Sequence, residues 1–129
     1  MSQDRESGRT ANEYGHTMAA KVANFLGTEL LSKASNEAIL GGERIAIKCA
    51  HRKTPEIGVS LKMLERVQSI MAALEDKDGT YALYQVDTGW YQMQMTPSRS
   101  KSSSAQNVMM VSCKAIRTIG RAIGRMPSH

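Results

Sequence analysis

The chain has 129 residues, 41% of them hydrophobic and 22% charged, and carries a net charge of +5. That is the length of one domain with a core of its own, and the balance of an ordinary globular protein, which excludes disordered and fibrous classes. No stretch approaches the roughly 18 uninterrupted apolar residues of a membrane helix. The polar start Met1-Ser2-Gln3-Asp4 has no apolar signal segment behind it, so the expected location is the cytoplasm.

Cys49 and Cys113 are the two cysteines, expected as thiols in a reducing compartment. The three histidines, His16, His51 and His129, show no zinc-type spacing with them. The charge is placed unevenly. Six basic residues and no acidic one follow Pro97, leaving 11 basic against all 12 acidic side chains before it. A nearly neutral body with a basic tail suggests a polyanionic partner, nucleic acid or an anionic membrane surface. Nucleic acid is favoured over a membrane: a solubilising face would mix signs, and guanidinium groups grip phosphate in a bidentate way.

Residues 1–9 read as a flexible polar lead-in. Thr10-Ala11-Asn12-Glu13 matches a capping box, and Tyr14, Met18, Val22 and Phe25 recur at helical spacing up to a stop at Gly27. Thr28 to Ser32 fits a short strand or a last helical turn. Glu37 to Leu40 and Glu43 to Cys49 flank Gly41-Gly42, the pattern of a tight hairpin. In its second arm Ile45, Ile47 and Cys49 face one way, and Arg44, Ala46 and Lys48 the other. A basic loop, His51 to Pro55, follows. From Val59 the apolar stripe Val59, Met63, Val67, Ile70 and Leu74 predicts a second helix ending at Glu75 to Gly79. Tyr81 to Val86 and Trp90 to Met95 read as strands around an Asp87-Thr88-Gly89 turn. Ile116, Ile119 and Ile123 against Lys114, Arg117, Arg121 and Arg125 predict a basic amphipathic helix, weakened by Gly120 and Gly124. No internal repeat is visible. The expected organisation is an α/β core over 1–96, a flexible basic Ser-rich linker over 97–107 and a basic C-terminal helix over 108–129. Its fold class is α/β, with a mixed central sheet of about four strands flanked by two helices.

An acidic residue in the first hairpin arm and a lysine in the second, between two helices, resemble the PD-(D/E)xK, or restriction-endonuclease-like, nucleases. The resemblance covers about residues 10–95. It implies Mg²⁺-dependent hydrolysis of DNA, in which carboxylates hold the metal and the lysine assists the attacking water. Glu37, in Ser35-Asn36-Glu37-Ala38, matches the first acidic position, where the family more often has Asp after Pro. Lys48 matches the motif lysine, and the position two before it, acidic in the family, is Ala46. Family members that lack that carboxylate supply one from a neighbouring helix, which makes Glu65 the first candidate here and Glu13 the second. The implied metal ligands are Glu37 and Glu65. Arg44, Arg52 and Lys53 beside the site, with Arg117, Arg121 and Arg125 of the tail, would contact phosphates, and two copies of so small a protein would address two strands as a homodimer.

Plainer readings stay open at every one of these positions. Lys48 fits a solvent-facing strand lysine, Glu37 a hairpin residue, Glu65 the solvated face of a helix and Glu13 the capping box itself. The alternatives to a nuclease are a non-catalytic nucleic-acid-binding protein on the same scaffold, and an assembly protein whose tail packs on a neighbouring subunit. No nucleotide-binding glycine loop or nucleophile triad is present.

Overall fold

In a computed structural model the chain is described over residues 2–32, 35–98 and 107–127, with residues 2–13 described by backbone alone. The first helix, α1, spans Ser2–Phe25, so it continues through the segment expected to be a flexible lead-in. Its inner face is Met18, Ala19, Val22 and Ala23, and Phe25 is turned outward. Gly27, at φ 81°, takes the left-handed conformation that stops it.

The hairpin forms where its turn residues place it. Strands β1 (Glu37–Leu40) and β2 (Glu43–Ala50) pair antiparallel about Gly41-Gly42. Both glycines have positive φ, the requirement of the tight two-residue turn. The long helix expected from Val59 does not form. Its residues instead make β3 (Glu56–Ser60), a short α2 (Leu61–Arg66) and β4 (Ser69–Glu75). The cause is burial on both sides. Ile70, Ala72 and Leu74 enter one core while Met71 and Ala73 enter the other, and a strand covered on both faces shows no polar alternation to mark it. Ser60 caps α2 by accepting a hydrogen bond from the Met63 backbone N–H.

Strand β5 (Tyr81–Asp87) is as expected, but Trp90 to Met95 is not a strand. Residues Thr88–Gln94 form α3, which buries Tyr91 and leaves Met93 82% exposed, so the alternation of Tyr91, Met93 and Met95 does not describe one face. The remaining elements are β6 (Thr96–Pro97), β7 (Val108–Ser112), α4 (Cys113–Ile119) and β8 (Arg121–Met126). The basic C-terminal helix is therefore the short α4, with strands on both sides of it. Most of the expected linker, 99–106, lies outside the described residues.

The result is a mixed α/β fold. A five-stranded sheet has the order β1-β2-β4-β5-β8, and a three-stranded sheet has the order β3-β7-β6. Among the described residues only β2 and β4 pair in parallel, joined by the crossover through β3 and α2. On one face of the large sheet α1 covers Ile45, Ile47, Met71, Ala73 and Leu83. On the other, the small sheet and the short helices cover Ala46, Ile70, Leu74 and Val86. Cys49 packs on the first side and Cys113 belongs to the second, both as free thiols. No described helix is long and apolar enough to cross a membrane.

Among the described residues a strand–helix–strand succession occurs three times, as β3-α2-β4, β5-α3-β6 and β7-α4-β8. β3-α2-β4 and β7-α4-β8 share Val-Ser at the strand–helix junction, and Ser112 accepts from the Ala115 N–H as Ser60 does from Met63. These two units meet back to back: β3 pairs antiparallel with β7, with Gly58 opposite Met110, which stands two residues before its own serine cap as Gly58 does.

Candidate functional site

Glu37 opens β1 directly opposite Ala46 of β2, and its amide donates to Ser35 Oγ at 2.9 Å. Side chains alternate along a strand, so Glu37, Arg44, Ala46 and Lys48 share one face of the hairpin. The Glu37 carboxylate is almost fully buried and both its oxygens are engaged. Arg44 Nε donates to Oε1 at 2.7 Å, and Arg66 Nη2, from the end of α2, donates to Oε2 at 2.6 Å. The Arg66 hydrogen bond is the main cause of a Glu37 carboxyl held below the usual carboxylate range, with Arg44 adding to it and burial opposing. The two arginine side chains are 39% and 46% exposed. A buried carboxylate thus fixes two arginines whose side chains stay partly open to solvent.

Lys48 lies further along the same face, where β1 has ended. It lines a cavity of about 420 Å³ with Asn36, Glu56, Gly58 and Gly15 of α1. Burial pushes its ammonium down from the ordinary lysine range, with neighbouring Cys49 and then Glu37 acting in the opposite direction. Among the described residues no ion pair or hydrogen bond reaches it.

The resemblance to metal-dependent nucleases can be tested on these groups. Glu37 offers a metal neither oxygen, since both are held by guanidiniums. Ala46, between it and Lys48 on that face, has no oxygen to give. Glu65 is exposed on α2, and the Glu13 side chain lies outside the described residues. Among the described residues no three His, Cys, Asp or Glu side chains gather closely enough to hold a metal ion. As placed, these residues do not fit Mg²⁺. The thiols add no nucleophile, since burial pushes Cys49 up to about 12.

The expected phosphate contacts divide between the two ends of the large sheet. Arg44 and Arg121 lie at the end formed by the starts of β2, β4 and β8 and the finish of β5. Arg52, Lys53, Arg117 and Arg125 lie at the opposite end, roughly the length of β2 away, or ~25 Å at about 3.3 Å per residue. There they surround the acidic turn after β4. Arg117 pairs with Asp76 at 2.9 Å and donates to the Glu75 carbonyl, and Arg125 pairs with the same Asp76. Arg52 donates its amide to Glu75 Oε1 at 3.0 Å, and Lys53 is exposed. The tail arginines thus hold the C-terminal unit to the β4–β5 turn, which neutralises part of the charge that the sequence placed in a free arm.

Arg66 and Glu56 are the members of the site that the sequence did not mark. Arg66 falls inside the long helix that the sequence predicts, and its approach to Glu37 depends on the crossover between β2 and β4. Glu56 stood at the head of an unrecognised strand. No protein-family model and no curated protein matches the chain, so the site is read from its geometry.

Proposed function

We propose that this chain is a nucleic-acid-binding protein, with DNA as the first candidate, whose nuclease-like core is used for binding and not for cleavage. One observation carries the reading: buried Glu37 holds the partly exposed side chains of Arg44 and Arg66 together, on the face that also bears Lys48, which has no ion-pair or hydrogen-bond partner among the described residues. Three cations then stand against Glu37, and the two arginines are oriented before a ligand arrives. Ordered guanidinium donors suit phosphate oxygens, and pre-orientation removes part of the entropy cost of binding. The expected behaviour is retardation of DNA without added metal, weakening steeply with salt.

The test is a gel-retardation series with plasmid and oligonucleotide, with EDTA and with Mg²⁺. Arg44→Ala and Arg66→Ala are each expected to weaken binding by roughly 10- to 100-fold, the worth of one charged hydrogen bond. Unchanged affinity in both would remove this face as the contact.

Hydrolysis in the manner of the PD-(D/E)xK nucleases is the second reading. It is favoured by Glu37 and Lys48 sharing a face and by Glu56 lining the Lys48 cavity. Plasmid nicking with Mg²⁺ that disappears in Lys48→Ala would establish it over the non-catalytic one.

A further inference from the structure

The sheet end that carries Arg44 also holds a cleft of about 660 Å³, separate from the Glu37 cluster and the Lys48 cavity. Trp90 of α3 and Ile119 of α4 provide its large apolar surfaces, Arg121 is its cation, and Glu43, Gln85 and Asp87 supply acceptors. Ile119 is 60% exposed, so its side chain offers apolar surface to an occupant of the cleft.

These walls are anchored from behind. The Thr88 hydroxyl donates to the Val67 carbonyl at 2.9 Å and its amide to the Gln68 carbonyl at 3.1 Å, which fixes the start of α3 and so Trp90. Between Ile119 and Arg121, Gly120 lies so close to the sheet that an added Cβ would stand 2.6 Å from the Ile116 carbonyl oxygen and 2.9 Å from Tyr84 Cβ. Asp87 occupies the N-cap position of α3 yet makes no side-chain capping bond, unlike Ser60 and Ser112 at the equivalent place on their helices. Its carboxylate is left available to a ligand.

We propose that this cleft is a stacking site for one unpaired nucleobase, with Trp90 as the platform and Arg121 on the adjoining phosphate. The chemistry selects that occupant. Two carboxylates inside repel a phosphate but accept hydrogen bonds from the exocyclic amino group of cytosine, adenine or guanine. An indole and an isoleucine offer surface to the faces of a ring, and those faces are accessible only in a base that is not stacked in a duplex. The inference rests on the nucleic-acid reading above and adds to it a preference for single strands and for amino-bearing bases.

Trp90 is the only tryptophan, so its fluorescence in the full chain reports the cleft directly. Titration with oligodeoxycytidine is expected to quench it, oligothymidine to bind more weakly, and a duplex to leave it unchanged. Trp90→Ala is expected to weaken single-strand binding by roughly 10-fold while duplex affinity is kept. Ile119→Asp and Arg121→Ala, both at exposed positions, carry the same expectation should Trp90→Ala fail to fold. Binding of both DNA forms with no change in Trp90 fluorescence, and equal affinity in all three variants, would sink the cleft and leave the Arg44 and Arg66 contact standing. No retention of any DNA at low salt would sink both.

Discussion

Glu37 draws its state from Arg66 and Arg44, and that makes it a pH-sensitive part of the fold. Its carboxyl is depressed in the folded chain, so its contribution is complete above the unfolded carboxylate range, near pH ~4.3. It is lost as pH falls through the lower folded value, where the native carboxylate finally takes up its proton. Urea unfolding between neutral pH and the acid range is expected to show a loss that Glu37→Gln lacks, with the variant about 1–3 kcal/mol less stable at neutral pH. Equal pH profiles would mean that the two arginine pairs contribute nothing net. Lys48 has the opposite sign. Burial disfavours its charged form, and no described residue pairs with it directly, so Lys48→Met is expected to raise the midpoint of thermal unfolding. A lower midpoint would show that the ammonium is better solvated than its place in the cavity implies. A lysine held at a cost to stability is the signature of a functional position.

At the scale of the elements, α2 and α4 are set by capping serines and by single close contacts. Gly120 ends α4 against the Ile116 carbonyl and Tyr84, whereas a Cβ at Gly58 meets the movable side chains of Val108 and Met110. Gly120→Ala is therefore expected to cost about 1–3 kcal/mol and Gly58→Ala distinctly less, as measured by chemical denaturation. The reverse order would show that the β3–β7 pairing is the less yielding of the two. Tyr91 is wholly buried and its hydroxyl donates to the Met109 carbonyl at 2.7 Å, tying α3 to β7. Tyr91→Phe is expected to lower stability by about 1 kcal/mol. The β1–β2 hairpin was legible because its signal is local: two glycines and the alternation of β2 lie within one stretch of chain. The strand β4 was not, since Ser69-Ile70-Met71-Ala72-Ala73-Leu74 fits a helix or a doubly buried strand equally well until its neighbours are known.

The whole molecule joins its C-terminal unit to the rest through both sheets, with β7 at the centre of one and β8 on the edge of the other. A chain ending at Ser98 is accordingly expected to lose cooperative unfolding altogether, as read by circular dichroism. A truncated chain that still melts sharply would restore the tail to the status of an independent arm. The sequence by itself determined the α/β class, the opening helix, the first hairpin and the fact that Arg44, Ala46 and Lys48 share a face. Each follows from turn chemistry or periodicity within a few residues. It also located the excess of positive charge. Only the tertiary structure decided what those charges do: Arg117 and Arg125 converge on Asp76, Arg66 crosses to Glu37, and Trp90, Ile119 and Arg121 meet around one cleft. These are contacts between segments far apart in the chain, brought together when β4 is buried on both faces, and no local pattern encodes them.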